Sequence, residues 1–174
     1  MFSRSRPRQL DTEEELYDVA LRALMRRAHS VKEMQKKLAR YTRNELLVRV
    51  VMARLKENGQ LNDARYAQQF TRNRTQSRKQ GQFRIARELR VRGLADADIN
   101  AALETSAAES DPAAMVRQRI ERKLKSSRGE INDKTIASIY GSLLRAGFPS
   151  DLIRRELKRA TREEVPETTE DDSE

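Results

Sequence analysis

The chain has 174 residues, with 36 lysines and arginines against 27 acids and a formal net charge of +9. It contains no cysteine, which rules out disulfides and fits a reducing cytoplasm. Its apolar runs are only a few residues long, so we expect neither a signal peptide nor a membrane-spanning segment. Few glycines, prolines and aromatic residues, in a chain rich in Arg, Lys, Glu, Ala and Leu, predict an all-α fold.

Three amphipathic helices are predicted in the first third of the chain. Acidic residues favour the start of the first helix, and apolar residues at helical spacing continue through all three. Ser30 and Glu33 form a capping box before the second helix, and Gly59 ends the third. The expected bounds are about 12–27, 31–41 and 43–58.

The same pattern recurs along the rest of the chain. A shift of 54 residues matches Ile85, Leu89, Gly93, Ile99 and Leu103 to Ile139, Leu143, Gly147, Ile153 and Leu157. Each of the two glycines follows a core leucine by four residues, where a left-handed residue closes a helix, so we interpret both as C-caps and nothing more. The sequence therefore predicts an elongated tandem of three three-helix repeats.

The predicted segments follow from this repeat. They are a disordered basic N-terminus (1–11), three-helix repeats at 12–62, 63–110 and 111–162, and a disordered acidic tail (163–174). The tail holds seven acids and no base, so the rest of the chain is more basic than the net charge indicates. We interpret the tail as a solubilising end; a DNA mimic that shields basic residues is the alternative.

The most basic segment is Arg72–Leu94, in which Glu88 is the single acid. Ile85 and Leu89 are expected to face the core, so the arginines of the same helix point outwards. The preceding link contains Gly81, which would let it approach the backbone of a partner closely. A solvated helix surface would give the same pattern, but a polyanion or an acidic protein groove would also select these residues. The candidate partner-binding residues are Arg72, Arg74, Arg78, Lys79, Arg84, Arg87 and Arg90, with Arg117, Arg122 and Lys123 on the third repeat, where Arg119, Lys125 and Arg128 extend the set.

Other polar and aromatic residues have simpler interpretations. Asp63 is predicted as the N-cap of the fourth helix, and His29 as a surface or capping residue. Tyr66 and Phe70 lie four residues apart and are expected in the core, whereas Phe83 is open to either core packing or base stacking. One histidine, no cysteine and no phosphate-binding loop predict a protein that is not an enzyme and holds no cofactor or metal.

Four segments share the motif pattern of a known family. They are RRAHSVKEMQKKL, LKENGQLNDARYAQQFTRNR, GQFRIARELRVRGLADADINAAL and GSLLRAGFPSDLIRREL. Together they resemble the RecX family of bacterial recombination regulators. The chain departs from the family pattern at Asn62, where family members often have an acid, in a longer loop at 126–132, and in its acidic tail, which the pattern lacks. The resemblance implies a non-catalytic protein that lies in the groove of the RecA recombinase filament on single-stranded DNA. There it would inhibit strand exchange, ATPase and coprotease activities.

Two other classes stay open on the sequence. A general nucleic-acid-binding helical protein would act through DNA alone, with no recombinase partner, and a helical adaptor would bind protein alone. The expected partners are the RecA filament and single-stranded DNA, with duplex DNA as a further candidate and no membrane. We expect a cytoplasmic monomer.

Overall fold

The computed structural model describes residues 9–126 and 132–163, and all regular structure in these residues is helical. The helices are α1 (Glu13–Arg26), α2 (Val31–Leu38), α3 (Glu45–Glu57), α4 (Asp63–Gln76), α5 (Gln82–Val91), α6 (Asp96–Glu109), α7 (Pro112–Ser126), α8 (Asp133–Arg145) and α9 (Ser150–Glu163). The predicted all-α fold is confirmed. The acidic tail and most of the basic N-terminus, both predicted to be disordered, lie outside the described residues.

The chain divides into two compact units, each built from two segments. Within the described residues, the first comprises 9–72 with Ala86–Thr105, and the second comprises Asn73–Ile85 with 106–126 and 132–163. The helices α4, α5 and α6 each contribute residues to both units. The division of the sequence into three repeats stays a prediction.

The core of the first unit includes a cluster formed by α1, α2 and α3, which pack against one another pairwise. Leu16, Met34 and Leu55 have no exposed surface. Leu10 is also buried in this cluster, and its N–H donates to the carbonyl of Tyr41 at 2.7 Å. The core therefore extends back into the segment predicted as a disordered N-terminus.

The core of the second unit is formed by α7, α8 and α9. Ile139, Leu143, Ile153 and Leu157, which the sequence matched to earlier core positions, are all buried there. Phe148 joins them with 2% of its surface exposed. The spacing of the sequence pattern thus identifies residues that the fold buries.

The starts of two helices in the first unit are connected. The capping box of Ser30 and Glu33 at α2 is present as predicted. The predicted cap at Asp63 is wrong: the side chain of Asn62 accepts the backbone N–H of Arg65 at 2.8 Å and caps α4 instead. Asp63 accepts the N–H of Val31 at 2.9 Å, in the first turn of α2. This contact joins residues far apart in the chain, so capping rules based on sequence neighbours do not find it.

Glycines close three of the helices in left-handed conformation. Gly59, Gly93 and Gly147 have φ values of 66°, 83° and 92°. At each one, the glycine N–H and the next N–H bond back to the last turn of the helix; at Gly147 these bonds measure 2.9 and 3.2 Å. This pair of bonds is the Schellman motif, and it confirms Gly93 and Gly147 as C-caps.

Candidate nucleic-acid interface

The turn closed by Gly93 contacts the N-terminus of α2, and we call this contact the first junction. Ser30 Oγ donates to the carbonyl of Arg92 at 2.8 Å. The guanidinium of Arg92 lies 3.9 Å from a carboxylate oxygen of Glu33 and 4.6 Å from the ring centre of Phe70. A Cβ on Gly93 would overlap the side chain of Lys32. A side-chain cap and an acid–base pair therefore hold this junction together.

The turn closed by Gly147 contacts the N-terminus of α5 in the same way, and we call this contact the second junction. The N–H of Gly81 donates to the carbonyl of Ala146 at 2.8 Å, and that of Phe83 to Gly147 at 3.0 Å. A Cβ on Gly81 would overlap the carbonyl group of Gly147, and one on Gly147 would overlap the backbone of Arg84. The backbones themselves are in contact, so neither position has room for a side chain.

The second junction changes two interpretations drawn from sequence. Gly147 is a C-cap, but it also permits the close contact with α5, so the expectation that it serves capping alone is wrong. Gly81 was expected to bring the basic link against the backbone of a partner. In the structure it brings the link against the backbone of the protein's own α8–α9 turn.

Arginine side chains surround the second junction. Arg84 Nη1 donates to the carbonyl of Arg145 at 3.4 Å, and Arg119 Nη2 donates to the carbonyl of Arg78 at 3.3 Å. The guanidinium carbon of Arg119 lies 5.7 Å from the ring centre of Phe148. A carbonyl and an aromatic ring carry no negative charge, so these contacts position Arg119 without neutralising it. We refer to Arg84, Arg119 and Arg122, whose charges interact, as the arginine cluster.

The electrostatics of the cluster centre on Arg119. Burial, together with the positive charges of Arg122 and Arg84, lowers the pKa of the Arg119 guanidinium. Arginine stays protonated in proteins, so Arg119 keeps a charge that is partly removed from water and lies close to two further positive charges. An anion at this place would relieve their repulsion. The cluster has the chemistry of a phosphate or carboxylate site.

The other predicted site residues differ in their exposure and in their ion pairs. Arg117 Nε lies 3.2 Å from Glu156 Oε2, and the side chain of Glu156 is 5% exposed, so this arginine is engaged within the fold. Arg90 pairs with Asp96 at 2.8 Å on the surface. Arg74 is half-buried, and the exposed predicted residues are Arg72, Arg78, Lys79, Arg87, Arg90, Arg122 and Lys123. Of the candidates, Arg84 and Arg122 lie close enough to Arg119 for their charges to interact with it, and Arg78 contacts Arg119 through its backbone carbonyl. Arg128 lies outside the described residues.

Lys79 has a left-handed backbone conformation. Its φ is 50°, and it is the one non-glycine residue with positive φ among the residues that the structure describes. It also lines an open cleft of about 570 Å³ whose wall carries both acids and bases, Asp111 and Arg117 among them. A lysine therefore occupies a conformation that glycine adopts at the other left-handed positions, at a conformational cost.

The aromatic residues divide into packed and exposed side chains. Tyr66 is 8% exposed and stacks on half-buried Phe70 with ring centres 6.0 Å apart, which confirms the core interpretation for Tyr66. Phe83 is 60% exposed, although its backbone is fixed at the second junction. The structure thus resolves the question that the sequence left open for Phe83: it is not a core residue.

The remaining features concern the single histidine, metal-binding groups and membrane-spanning helices. His29, predicted as a surface or capping residue, is only 8% exposed, so it is not a surface residue. Its Nδ1 lies 2.9 Å from the carbonyl of Arg27, and burial lowers its pKa. In residues 9–126 and 132–163 no three His, Cys, Asp or Glu side chains are grouped closely enough to hold a metal. Over the same residues, no helix has the length and apolar character needed to span a membrane.

The fold and the junctions define a helical-repeat protein with an arginine cluster beside one repeat turn. A family model described as RecX, second three-helix domain, matches residues 62–103. A regulatory protein RecX from Halorhodospira halophila is 40% identical over 142 residues, which is 81% of this chain and 85% of the relative. A relative of the same name from Pseudomonas putida is 36% identical over 148 residues, covering 85% of this chain and 92% of its own.

The fold is also similar to that of a RecX protein of known structure. The crystal structure of RecX from Lactobacillus salivarius superimposes with a TM-score of 0.76 over 86% of this chain and 97% of that one, at 21% identity. The chain belongs to the RecX family of regulatory proteins.

Proposed function

We propose that the protein binds the RecA recombinase filament on single-stranded DNA, in the filament groove, and inhibits strand exchange, ATPase and coprotease activities. The relatives named as regulatory proteins support a regulatory role. The observation that carries the proposal is the arginine cluster at the second junction. The protein acts without catalysis of its own, as a cytoplasmic monomer.

The arginine cluster fits the surface that such a filament offers. Single-stranded DNA carries a negative charge on each nucleotide, and arginine binds phosphate oxygens through paired N–H groups. The helix ends at the second junction are fixed by backbone contacts, so the arginines that they carry are positioned before binding. A positioned cluster loses less conformational entropy on binding than flexible side chains do.

Within this proposal the predicted residues have separate roles. Arg117 supports the fold through its ion pair with Glu156. The remaining predicted residues contact the filament, with Arg78, Lys79 and Arg84 central because they lie on the link and at the start of α5. The full set of contacting residues is Arg72, Arg74, Arg78, Lys79, Arg84, Arg87, Arg90, Arg122 and Lys123.

Charge reversal tests the proposal. The triple variant Arg78→Glu, Lys79→Glu, Arg84→Glu is expected to lose inhibition of the recombinase ATPase while its circular dichroism stays helical. A matched variant reverses three exposed basic residues of the first unit, Lys36, Arg40 and Arg43. It is expected to inhibit like the wild type. Inhibition that survives in the first variant would remove these residues from the filament contact.

A general nucleic-acid-binding function is the second candidate, because an arginine cluster favours phosphate whatever holds the strand. It predicts steeply salt-dependent binding to naked DNA that accounts for all activity. Pull-down with recombinase, with and without single-stranded DNA, separates the two functions. If the protein is captured only when recombinase is present, the filament-binding function is supported. If the protein binds DNA but does not retain recombinase, the general nucleic-acid-binding function is supported.

A further inference from the structure

Phe83 is an exposed aromatic side chain on a rigid support. Its ring is 60% exposed, while its backbone N–H donates to Gly147 at 3.0 Å. Two positions earlier, Gly81 is fixed against the same turn. Single exposed apolar side chains are common on protein surfaces, so exposure alone assigns Phe83 no role. What distinguishes Phe83 is its position next to Arg84, at the fixed second junction.

The surroundings of Phe83 are basic. Arg84 follows it directly and bonds to the carbonyl of Arg145, and its backbone lies against Gly147. Arg119 lies over Phe148, the residue after Gly147, and its charge interacts with those of Arg84 and Arg122. The backbone of Phe83 and the side chains of Arg84 and Arg119 thus contact the same turn, at residues 145–148.

We propose that Phe83 stacks on a base of single-stranded nucleic acid while Arg84, Arg119 and Arg122 bind the neighbouring phosphates. This inference rests on the proposed function and assigns the second junction to the nucleic acid of the filament rather than to its protein. Every unpaired base offers a π-face to an aromatic ring, and the phosphates on either side offer charge to arginine. An acidic protein groove would pair with the arginines but would not require an exposed ring.

Lys79 is consistent with the same role. The other described left-handed positions are glycines, whereas Lys79 keeps a cationic side chain at a φ of 50°. It lies four residues before Phe83, on the link that leads into α5. A side chain kept in an unfavourable conformation is expected where it contributes to binding.

The absence of tryptophan from the sequence provides a direct test. Phe83→Trp makes a single fluorescent reporter at the proposed stacking position, and Val91→Trp makes one at a residue of the same helix that is 75% exposed. With an oligo(dT) of about 16 nucleotides, we expect strong quenching of the first tryptophan and little change in the second. A duplex of equal length is expected to quench neither, because its bases are already stacked.

Affinity for the same oligonucleotide tests base stacking and phosphate binding separately. Phe83→Ala is expected to weaken binding about tenfold or more, and Phe83→Tyr to change it only slightly, because the π-face is kept. Arg122→Gln, at an exposed position, is expected to reduce the slope of log affinity against log salt by about 0.7. Equal affinity of wild type and Phe83→Ala would overturn the stacking role.

The outcomes distinguish this inference from the proposed function. If oligo(dT) does not quench Phe83→Trp but recombinase filaments still retain the protein, the inference fails and the proposed function stands. If quenching occurs and recombinase retains nothing, the inference stands and the proposed function fails. Quenching by DNA-free recombinase alone would assign Phe83 to a protein contact and overturn the inference.

Discussion

The two junctions have the same backbone design and different chemistry. In both, a turn closed by a left-handed glycine meets the N-terminus of a preceding helix, at Gly93 in the first and at Gly147 in the second. The first is held by the hydroxyl of Ser30 and by the pairing of Arg92 with Glu33. The second is held by direct backbone contact and is surrounded by arginines.

This difference shows that one backbone motif can be held by different contacts and carry different charge. At the first junction an acid lies close to the arginine, so the charge is used within the fold. At the second, Arg119 contacts a carbonyl and an aromatic ring, neither of which carries a negative charge, and we propose that an outside partner uses its charge. Phe83, at the same junction, is exposed, and we propose that it supplies a second means of recognition.

The largest expected effect comes from adding a side chain at Gly147. Gly147→Ala places a Cβ against the backbone of Arg84 and also strains a φ of 92°, so we expect a loss of about 3 kcal/mol or more in unfolding free energy. Gly93→Ala meets only the flexible side chain of Lys32 and should cost less. Gly59→Ala, with open space around it, should cost only the conformational term of about 1–2 kcal/mol. Urea denaturation measures all three, and equal losses would refute the backbone contact.

The ion pairs give the next largest contrast. Arg117→Met leaves the buried carboxylate of Glu156 without its partner on α7, and we expect a loss of about 2–3 kcal/mol. Arg90→Met breaks an exposed pair with Asp96 and should cost at most about 1 kcal/mol. Thermal unfolding of both variants measures the two losses in stability. A smaller loss of stability for Arg117→Met than for Arg90→Met would show that the Glu156 pair contributes little.

Lys79 should show opposite effects on stability and binding. Lys79→Gly relieves the left-handed conformation and is expected to stabilise the fold by up to about 1 kcal/mol. It also removes a cation from the basic link, so affinity for oligo(dT) should fall. Lys79→Ala keeps the strain and removes the cation, which makes it the control. A gain in affinity with Lys79→Gly would contradict the role assigned to this residue.

The smallest effect concerns His29, the single histidine of the chain. Burial lowers its pKa in the fold, and the positive charges of Arg27 and Lys37 act in the same direction, although the Arg27 carbonyl and Glu33 oppose them. The unfolded chain therefore binds the proton first as the pH falls. Stability present above about pH 6.5 should decrease as the pH falls through that value. His29→Asn should remove this decrease, and a pH-independent wild type between pH 7.5 and 5.5 would contradict it.

The sequence predicts what depends on neighbouring residues in the chain. Helical spacing identified buried positions such as Ile139 and Leu143, and the Ser30 capping box was also recognisable. The contact of Asp63 with Val31 was not, because it joins two helix starts in space. The position of Arg119 was not recognisable either, because Arg119 contacts Phe148, which lies in a turn much later in the chain.

Amide hydrogen exchange tests the central claim most directly, because both junctions are observed in one experiment. The protein is compared free and bound to recombinase filaments on single-stranded DNA. We predict slower exchange at residues 78–85 and 117–123, around the second junction, and unchanged exchange at 28–34, in the first. Slower exchange confined to the first junction, or no change at the second, would contradict the account.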